Sequence, residues 1–216
     1  MRILLASCDL DLIKRYAGTS IFAGVITNPD VVAAEKRKPV ELFKEVLEHV
    51  PYAYYQLDGD DMQSMLKEAY RMLEIDPERM RIKVPATLEG FKVITRLVGE
   101  GVHVMATCVP TQAWMIFAIE SGAKEFSPYS GMLQRRGFCS KREEVIKMQK
   151  IIDAQGYDVS ICTGIYDITD LPFYAENGIT SCFMWGKDIE GFLTQPLVEE
   201  AVLGFRGSTT EIKEYY

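Results

Sequence analysis

One lysine lies inside an apolar stretch of the chain, where a charged amine is costly. Lys83 sits between Ile82 and Val84 in the run MRIKVP, residues 80–85. A lysine in such a position must be paired, must reach solvent or must lose its proton. Partial burial would lower its pKa from about 10.4 toward about 7 to 8, and the neutral amine attacks carbonyls to form a Schiff base. The alternative is a lysine that extends its ammonium to solvent from an outer position.

Neutral hydrogen-bonding side chains stand at the ends of several other apolar runs. They are Thr27, Asn28, Gln56, Thr107, Ser127 and Tyr129. Such groups bind hydroxyls and hold a water molecule, and the phenol of Tyr129 can also move a proton. Each one alone also fits a local role, because Asn-Pro and Ser-Pro-Tyr are common in turns and Thr is an ordinary strand residue. Six such side chains grouped around Lys83 would indicate a functional site.

The elements that must position these side chains alternate between short β-rich runs and longer helical stretches. The strand candidates are Ile3 to Ser7, Phe22 to Thr27, Ala53 to Leu57, Met80 to Val84, Val102 to Cys108, Glu125 to Ser127, Val159 to Thr163 and Ile179 to Met184. Helix candidates follow each of them, the last near Gln195 to Phe205. The turn after the first strand has no glycine, which favours a barrel over a doubly wound open sheet. We therefore predict one α/β domain over residues 1–216, a single (β/α)8 TIM barrel.

Composition excludes several classes of protein. The chain has 24 Lys plus Arg against 31 Asp plus Glu, a net charge of -7, which argues against nucleic-acid binding. The apolar run near Met1 is too short for a signal peptide and no apolar run reaches about 20 residues, so we expect a cytoplasmic protein that does not enter membranes. Its 5 cysteines form no C-x-x-C pair and it has only 2 histidines, so we expect no disulfide framework and no metal site.

Two further expectations concern side chains outside the site. Cys8, Cys108 and Cys162 fall in strand-like runs, which predicts buried, unreactive thiols. The charged run KREEVIKMQK, which begins at Lys141, is typical of a helix face in contact with solvent.

Two segments carry a resemblance to a known family. They are GVITNP at residues 24–29 and IKVPATLEG at residues 82–90. Their sequences, their spacing and the length of the chain resemble the small transaldolase and fructose-6-phosphate aldolase family over essentially the whole chain. The resemblance implies a barrel in which Lys83 forms a Schiff base with a hydroxyketone donor, dihydroxyacetone-like or fructose 6-phosphate. The bond between C3 and C4 is then made or broken with an aldehyde partner, without a cofactor, as part of carbohydrate metabolism such as the pentose phosphate pathway.

The same resemblance implies roles for the polar set. Asn28 would bind donor hydroxyls and help orient Lys83, and Thr27 and Ser127 would also line the substrate site. Gln56, Thr107 and Tyr129 would hold a water or donate the proton used in the reaction. Gln56 and Tyr129 match the aldolase branch of the family, whereas larger transaldolases carry Glu and Phe at these two positions.

Some positions depart from the family pattern. Ala6 stands where the family has an Asp that binds donor hydroxyls, and Met132 stands where it has a phosphate-binding Arg. Gly164 and Tyr166 replace a Ser and a basic residue. Each lost charge-assisted hydrogen bond would cost about 1.5 to 3 kcal/mol, which would remove a preference for phosphorylated aldehydes.

Two alternatives remain open at this point. Arg135 or Arg136 could reach the barrel mouth and bind the phosphate instead. The chain could also be a noncatalytic or repurposed barrel that binds a sugar-like metabolite, with Lys83 only as a hydrogen-bond donor. The family resemblance further implies a homo-oligomeric ring, a pentamer or decamer, with the C-terminal helix and tail, about residues 195–216, on a neighbouring subunit. Glu211 to Tyr216 would extend past the last helix, either for that purpose or as a frayed tail.

Overall fold

The computed structural model describes residues 1–208. Eight parallel strands pair in chain order, and β8 pairs with β1 to close a barrel. The strands are β1 (Arg2–Ala6), β2 (Gly24–Ile26), β3 (Ala53–Gln56), β4 (Met80–Pro85), β5 (Val104–Val109), β6 (Glu125–Pro128), β7 (Ser160–Ile165) and β8 (Ser181–Trp185). All eight strand candidates are present, and the predicted (β/α)8 barrel is confirmed.

Helices connect the strands. They are α1 (Leu10–Ala17), α2 (Pro29–Ala34), α3 (Pro39–His49), α4 (Met62–Leu73), α5 (Leu88–Gly99), α6 (Gln112–Glu120), α7 (Ser130–Arg135), α8 (Lys141–Gln155), α9 (Asp170–Glu176), α10 (Ile189–Leu193) and α11 (Pro196–Ser208). Sequence periodicity missed α2, α7 and α10, because five or six residues are too few to show a repeat of 3.6.

Side-chain caps fix where several helices begin. The carboxylate of Asp9 accepts from the first turn of α1, and that of Asp61 accepts from Ser64 at the start of α4. Thr87 caps α5 in the same way, directly after the strand that carries Lys83. These caps fix the first turns of three helices that follow barrel strands.

Polar side chains at the amino ends of the strands close the opposite end of the barrel. Glu125 is buried and accepts hydrogen bonds from Arg2 at 3.0 Å and from the hydroxyl of Tyr54, and His103 lies 3.4 Å from it. Burial alone would raise the pKa of Glu125, but the hydrogen bonds from His103 and Tyr54 and the charge of Arg2 outweigh it and lower the pKa. This cluster therefore links β1, β3 and β6 through buried polar contacts.

The chain forms two compact units, residues 1–186 and a unit from Lys187 onward. All eight strands belong to the first unit. The second contains α10 and α11, and Leu197, Leu203 and Phe205 of α11 are exposed. Such exposure suits a segment that packs on a neighbouring subunit, and the ring-shaped oligomer stays a prediction. Glu211 to Tyr216 lie outside the described residues.

Two expectations about single side chains, one for Cys108 and one for the face of α8, need correction. Cys8 and Cys162 are buried, but Cys108 is exposed, because β5 bulges against β6 there and Cys108 takes a φ of 58°. The face of α8 is not fully solvated, because Lys141 and Glu144 on it are buried. Within residues 1–208, no helix is long and apolar enough to cross a membrane.

Candidate active site

Lys83 occupies the carboxyl half of β4 with its side chain buried. Its amine donates a hydrogen bond of 2.7 Å to the main-chain oxygen of Thr27, at the end of β2. Burial lowers the pKa of this amine to about 8. The outer, solvent-reaching position is thereby excluded, and the amine has a substantial neutral fraction near neutral pH.

Asn28 and Thr27 lie beside this amine. Together with Lys83 they line a cavity of about 20 Å³, room for roughly one water molecule. The side-chain oxygen of Asn28 accepts from the backbone N–H of Val31 at 2.9 Å and caps α2. This bond fixes the amide so that its NH2 group is left to donate, and no other residue within 1–208 accepts from it. The hydroxyl of Thr27 donates instead to the carbonyl of Tyr54 at 2.9 Å.

The other predicted residues lie around the same end of the barrel. Gln56 is the last residue of β3 and is in register with Lys83. Thr107 on β5 is in register with Pro85, two residues beyond Lys83, and is buried, as is Ser127 on β6. Tyr129 follows β6 at the start of α7, and its side chain is 44% exposed. The Tyr129 hydroxyl makes no hydrogen bond within the described part of the chain, so the structure places it at the mouth without joining it to Gln56 or Thr107.

Two aromatic side chains that sequence reasoning missed complete the wall near Lys83. Phe183 and Trp185 of β8 line the same small cavity, and their rings meet edge to face with centroids 5.4 Å apart. The indole Nε1 of Trp185 is buried and has no hydrogen-bond partner in the described residues. Phe183 and Trp185 are two residues apart on β8, as expected for side chains that face the barrel interior. Their apolar type did not indicate in the sequence that they lie beside Lys83.

These two aromatic side chains lie next to two positions, Ala6 and Gly164, that depart from the family pattern. Ala6 is in register with Trp185 on one side of β8, and Gly164 is in register with Phe183 on the other. A Cβ atom at Gly164 would stand 2.8 Å from the ring of Phe183. The small residues therefore make room for the large ones.

A second, larger cavity of about 410 Å³ opens between α7 and the end of β7. Arg135, Lys141 and Tyr166 line it. Arg136 ends α7, is exposed and is not among the residues that line this cavity. Of the two arginines considered for the barrel mouth, Arg135 is therefore the one that lines this cavity.

The chain is similar in sequence to a known protein family. The family model described as transaldolase/fructose-6-phosphate aldolase matches residues 3–170. The chain belongs to this family. Its members include proteins named as enzymes, which does not favour a noncatalytic barrel.

Curated relatives of the transaldolase/fructose-6-phosphate aldolase family show the extent of the similarity. A protein named "Probable transaldolase 2" from Listeria monocytogenes is 29% identical over 95% of this chain and 94% of its own length. A "Probable transaldolase" from Thermoanaerobacter is 31% identical over 62% of each chain. A "Probable fructose-6-phosphate aldolase" from Streptococcus pneumoniae is 29% identical, also over 62% of each chain. In the last two alignments this chain spans less than two thirds of the relative's length.

Proposed function

We propose that this family member is a class I aldolase or transaldolase, which makes or breaks a carbon–carbon bond between a small hydroxyketone and an aldehyde through an imine on Lys83. One observation carries the proposal: a buried amine at the carboxyl end of β4, held 2.7 Å from a neutral carbonyl oxygen beside Asn28. A buried amine with a lowered pKa and no carboxylate partner is suited to nucleophilic attack on a carbonyl.

The steps follow from the neutral amine. Its lone pair attacks the carbonyl carbon of the donor and forms the C–N bond of a carbinolamine, which loses water to give the imine. In the cleavage direction, the bond between C3 and C4 breaks and its electron pair enters the imine, which becomes an enamine. The C4 hydroxyl proton leaves as the aldehyde forms, and a proton then returns to the enamine carbon. Tyr129, through a water held with Gln56 and Thr107, is the proposed carrier of these protons.

Donor recognition rests on groups around the small cavity. The NH2 group of Asn28 is available to a donor hydroxyl, since its amide oxygen is engaged by α2. The unpartnered Nε1 of Trp185 is a second N–H donor close to the position where the family pattern has a carboxylate. The indole N–H can donate a hydrogen bond but cannot accept one. It would therefore bind an oxygen atom of the hydroxyketone and would not accept a hydrogen bond from a hydroxyl.

Two residues support the aldolase branch over transaldolase. By the resemblance, Gln56 and Tyr129 match the pair that the aldolase branch carries. Gln56 is in register with Lys83, so the neighbouring position on β3 carries an uncharged amide. A carboxylate there would favour the ammonium form of Lys83 and raise its pKa.

Borohydride trapping tests the proposal. The protein is incubated with dihydroxyacetone, hydroxyacetone or fructose 6-phosphate in parallel, reduced with borohydride and examined by intact mass and peptide mapping. We expect one reduced donor adduct per chain, on Lys83, with at least one of the three. Thermal stabilisation by these compounds without any covalent adduct would overturn the proposal and favour a metabolite-binding barrel.

A further inference from the structure

A second lysine shares features with Lys83 and lines the larger cavity described above. Lys141 is the first residue of α8 and is buried. Its amine donates a hydrogen bond to the carbonyl oxygen of Gly164 and lies 4.3 Å from the centroid of the Tyr166 ring and 5.4 Å from that of Tyr174. Among the described residues no carboxylate forms an ion pair with it. A carbonyl oxygen and the faces of two aromatic rings hold the amine, and these contacts favour its ammonium form without supplying a full countercharge.

The surroundings shift its protonation in the same direction as for Lys83. Burial lowers the pKa of Lys141 to about 8, and the neighbouring charge of Asp170 offsets this only in part. About a tenth of the amine is then neutral at pH 7, against less than a thousandth for an ordinary lysine. Lys83 lines a cavity of about 20 Å³, whereas Lys141 lines one of about 410 Å³, large enough for a small organic molecule.

The other groups of this cavity indicate what kind of molecule it takes. Arg142 and Asp170 form an ion pair at 2.7 Å, and Asp170 also accepts from the backbone N–H of Tyr166. Arg135 has no carboxylate partner within residues 1–208 and points its guanidinium toward the space beside Gly131. The Tyr166 hydroxyl borders the same space, since a Cβ atom at Gly131 would lie 3.3 Å from that hydroxyl and 3.6 Å from Nη1 of Arg135. One unpaired cation and one hydroxyl thus face a gap that a glycine leaves open.

We propose that Lys141 is a second imine-forming lysine and that the cavity binds a small aldehyde bearing an anionic group, with the anion on Arg135. The neutral amine attacks the aldehyde carbon, a C–N bond forms, and the carbonyl oxygen leaves as water with both amine protons. No oxidant or other reactant is needed. Aldehydes are favoured over ketones because the amine is hemmed in by two rings and a hydrogen carries less bulk than a second carbon substituent. This proposal does not rest on the proposed reaction at Lys83.

Matched probes test the charge requirement. Pyridoxal 5′-phosphate and uncharged pyridoxal carry the same aldehyde and differ in the phosphate. Each is incubated with wild-type, Lys83→Met, Lys141→Met and Arg135→Gln proteins, reduced with borohydride and mapped by peptide mass. In Lys83→Met we expect one fast-reacting lysine, Lys141, labelled at least tenfold faster by the phosphate than by pyridoxal. Arg135→Gln should reduce that ratio to near one.

The controls separate this proposal from general lysine chemistry. Lys147 on the same helix is exposed and ion-paired with Glu144, and should label at a slow rate common to surface lysines. Lys141→Arg keeps the charge without an imine-forming amine and replaces Lys141→Met if that protein does not fold. Equal labelling of Lys141 and Lys147 in the wild type would overturn the proposal, as would an unchanged fast phase in either Lys141 variant. Dihydroxyacetone trapping on Lys83, measured in the same preparations, reports on the proposed function separately.

Discussion

The Nζ atom of Lys83 lies 2.7 Å from the main-chain oxygen of Thr27, so β4 and the end of β2 share one hydrogen bond at the barrel mouth. A carbonyl oxygen orients the amine but carries no net charge to stabilise an ammonium. Burial can therefore lower the pKa of Lys83 to about 8 while the side chain stays in one orientation. Both features are needed in an amine that attacks a carbonyl.

Replacement of Lys83 by methionine should abolish trapping. Lys83→Met keeps the length of the side chain, so we expect a folded barrel and no mass addition with dihydroxyacetone and borohydride. The measurement is intact mass with circular dichroism on the same sample. Lys92→Met, which removes an exposed lysine paired with Glu89, should trap as well as wild type. A dihydroxyacetone adduct on another lysine of Lys83→Met would show that the assignment is wrong.

The rate of imine formation should rise with pH through about 8. With the pKa of Lys83 at about 8, its neutral fraction is about a tenth at pH 7 and about nine tenths at pH 9. Initial rates of trapping, measured with cyanoborohydride, should therefore rise about tenfold over that range. Stability follows the same sign: the unfolded pKa is 10.5, so the burial of charged Lys83 lowers stability below pH 8 and this penalty fades as the pH rises to 10.5. A rate that does not change with pH would contradict the shift.

Tyr129→Phe should separate proton transfer from imine formation. Loss of a positioned acid or base lowers turnover by roughly 10²-fold or more, whereas donor trapping on Lys83 should persist. Steady-state kcat and KM, measured with trapping on the same protein, check this. Tyr70→Phe removes an exposed hydroxyl that donates to Glu100 and serves as the control. An unchanged kcat with a large rise in donor KM would assign Tyr129 to binding.

Asn28 caps α2 and is proposed to bind the hydroxyketone donor, and substitutions can separate these two roles. Asn28→Ser retains an oxygen for the cap of α2 but lacks the amide NH2, so stability should hold while donor KM rises. Asn28→Ala loses both, and should also lose about 1 kcal/mol of stability. Urea unfolding and donor KM are the two measurements. Equal donor KM in wild type and Asn28→Ser would remove the amide from donor binding.

Glu125→Gln should destabilise the barrel without changing the reaction. The charge-assisted bonds from Arg2 and His103 weaken, at a cost of about 3 kcal/mol, or roughly 6 to 12 °C in Tm. Because the folded pKa of Glu125 is lowered, its contribution is present above the unfolded pKa of 4.5 and is lost as the pH falls through the folded value. Thermal melts at pH 7 and at acid pH should show the difference between variant and wild type shrinking. Glu120→Gln, at an exposed position, is the control.

Sequence reasoning found the barrel because its evidence is periodic. Strand runs such as Ile3 to Ser7 and Val159 to Thr163 lie within two residues of the observed β1 and β7. Lys83 was found for a related reason, since a charge inside an apolar run is visible without any tertiary information.

The misses share a physical cause. Lys141 sits at the amino end of a charged helix, and only the packing of α8 against β7 shows that its side chain folds back under Tyr166. Cys108 is exposed because of a bulge that depends on the pairing of β5 with β6. Phe183 and Trp185 are ordinary strand residues until register places them beside Gly164 and Ala6. Each of these facts belongs to contacts between distant segments, which local patterns do not encode.

The fit of β8 between its two neighbours limits how this barrel could change. A change of Ala6 to the aspartate of the family pattern would bring a carboxylate against Trp185, and a serine at position 164 would meet the ring of Phe183. Each single reversion is therefore expected to be harmful in the present background, and only its combination with a smaller residue on β8 would be tolerated. We therefore expect substitutions at these four positions to be non-additive. Attempts to redesign donor specificity in this chain should treat them together, since a search through single substitutions would pass only through poorly packed intermediates.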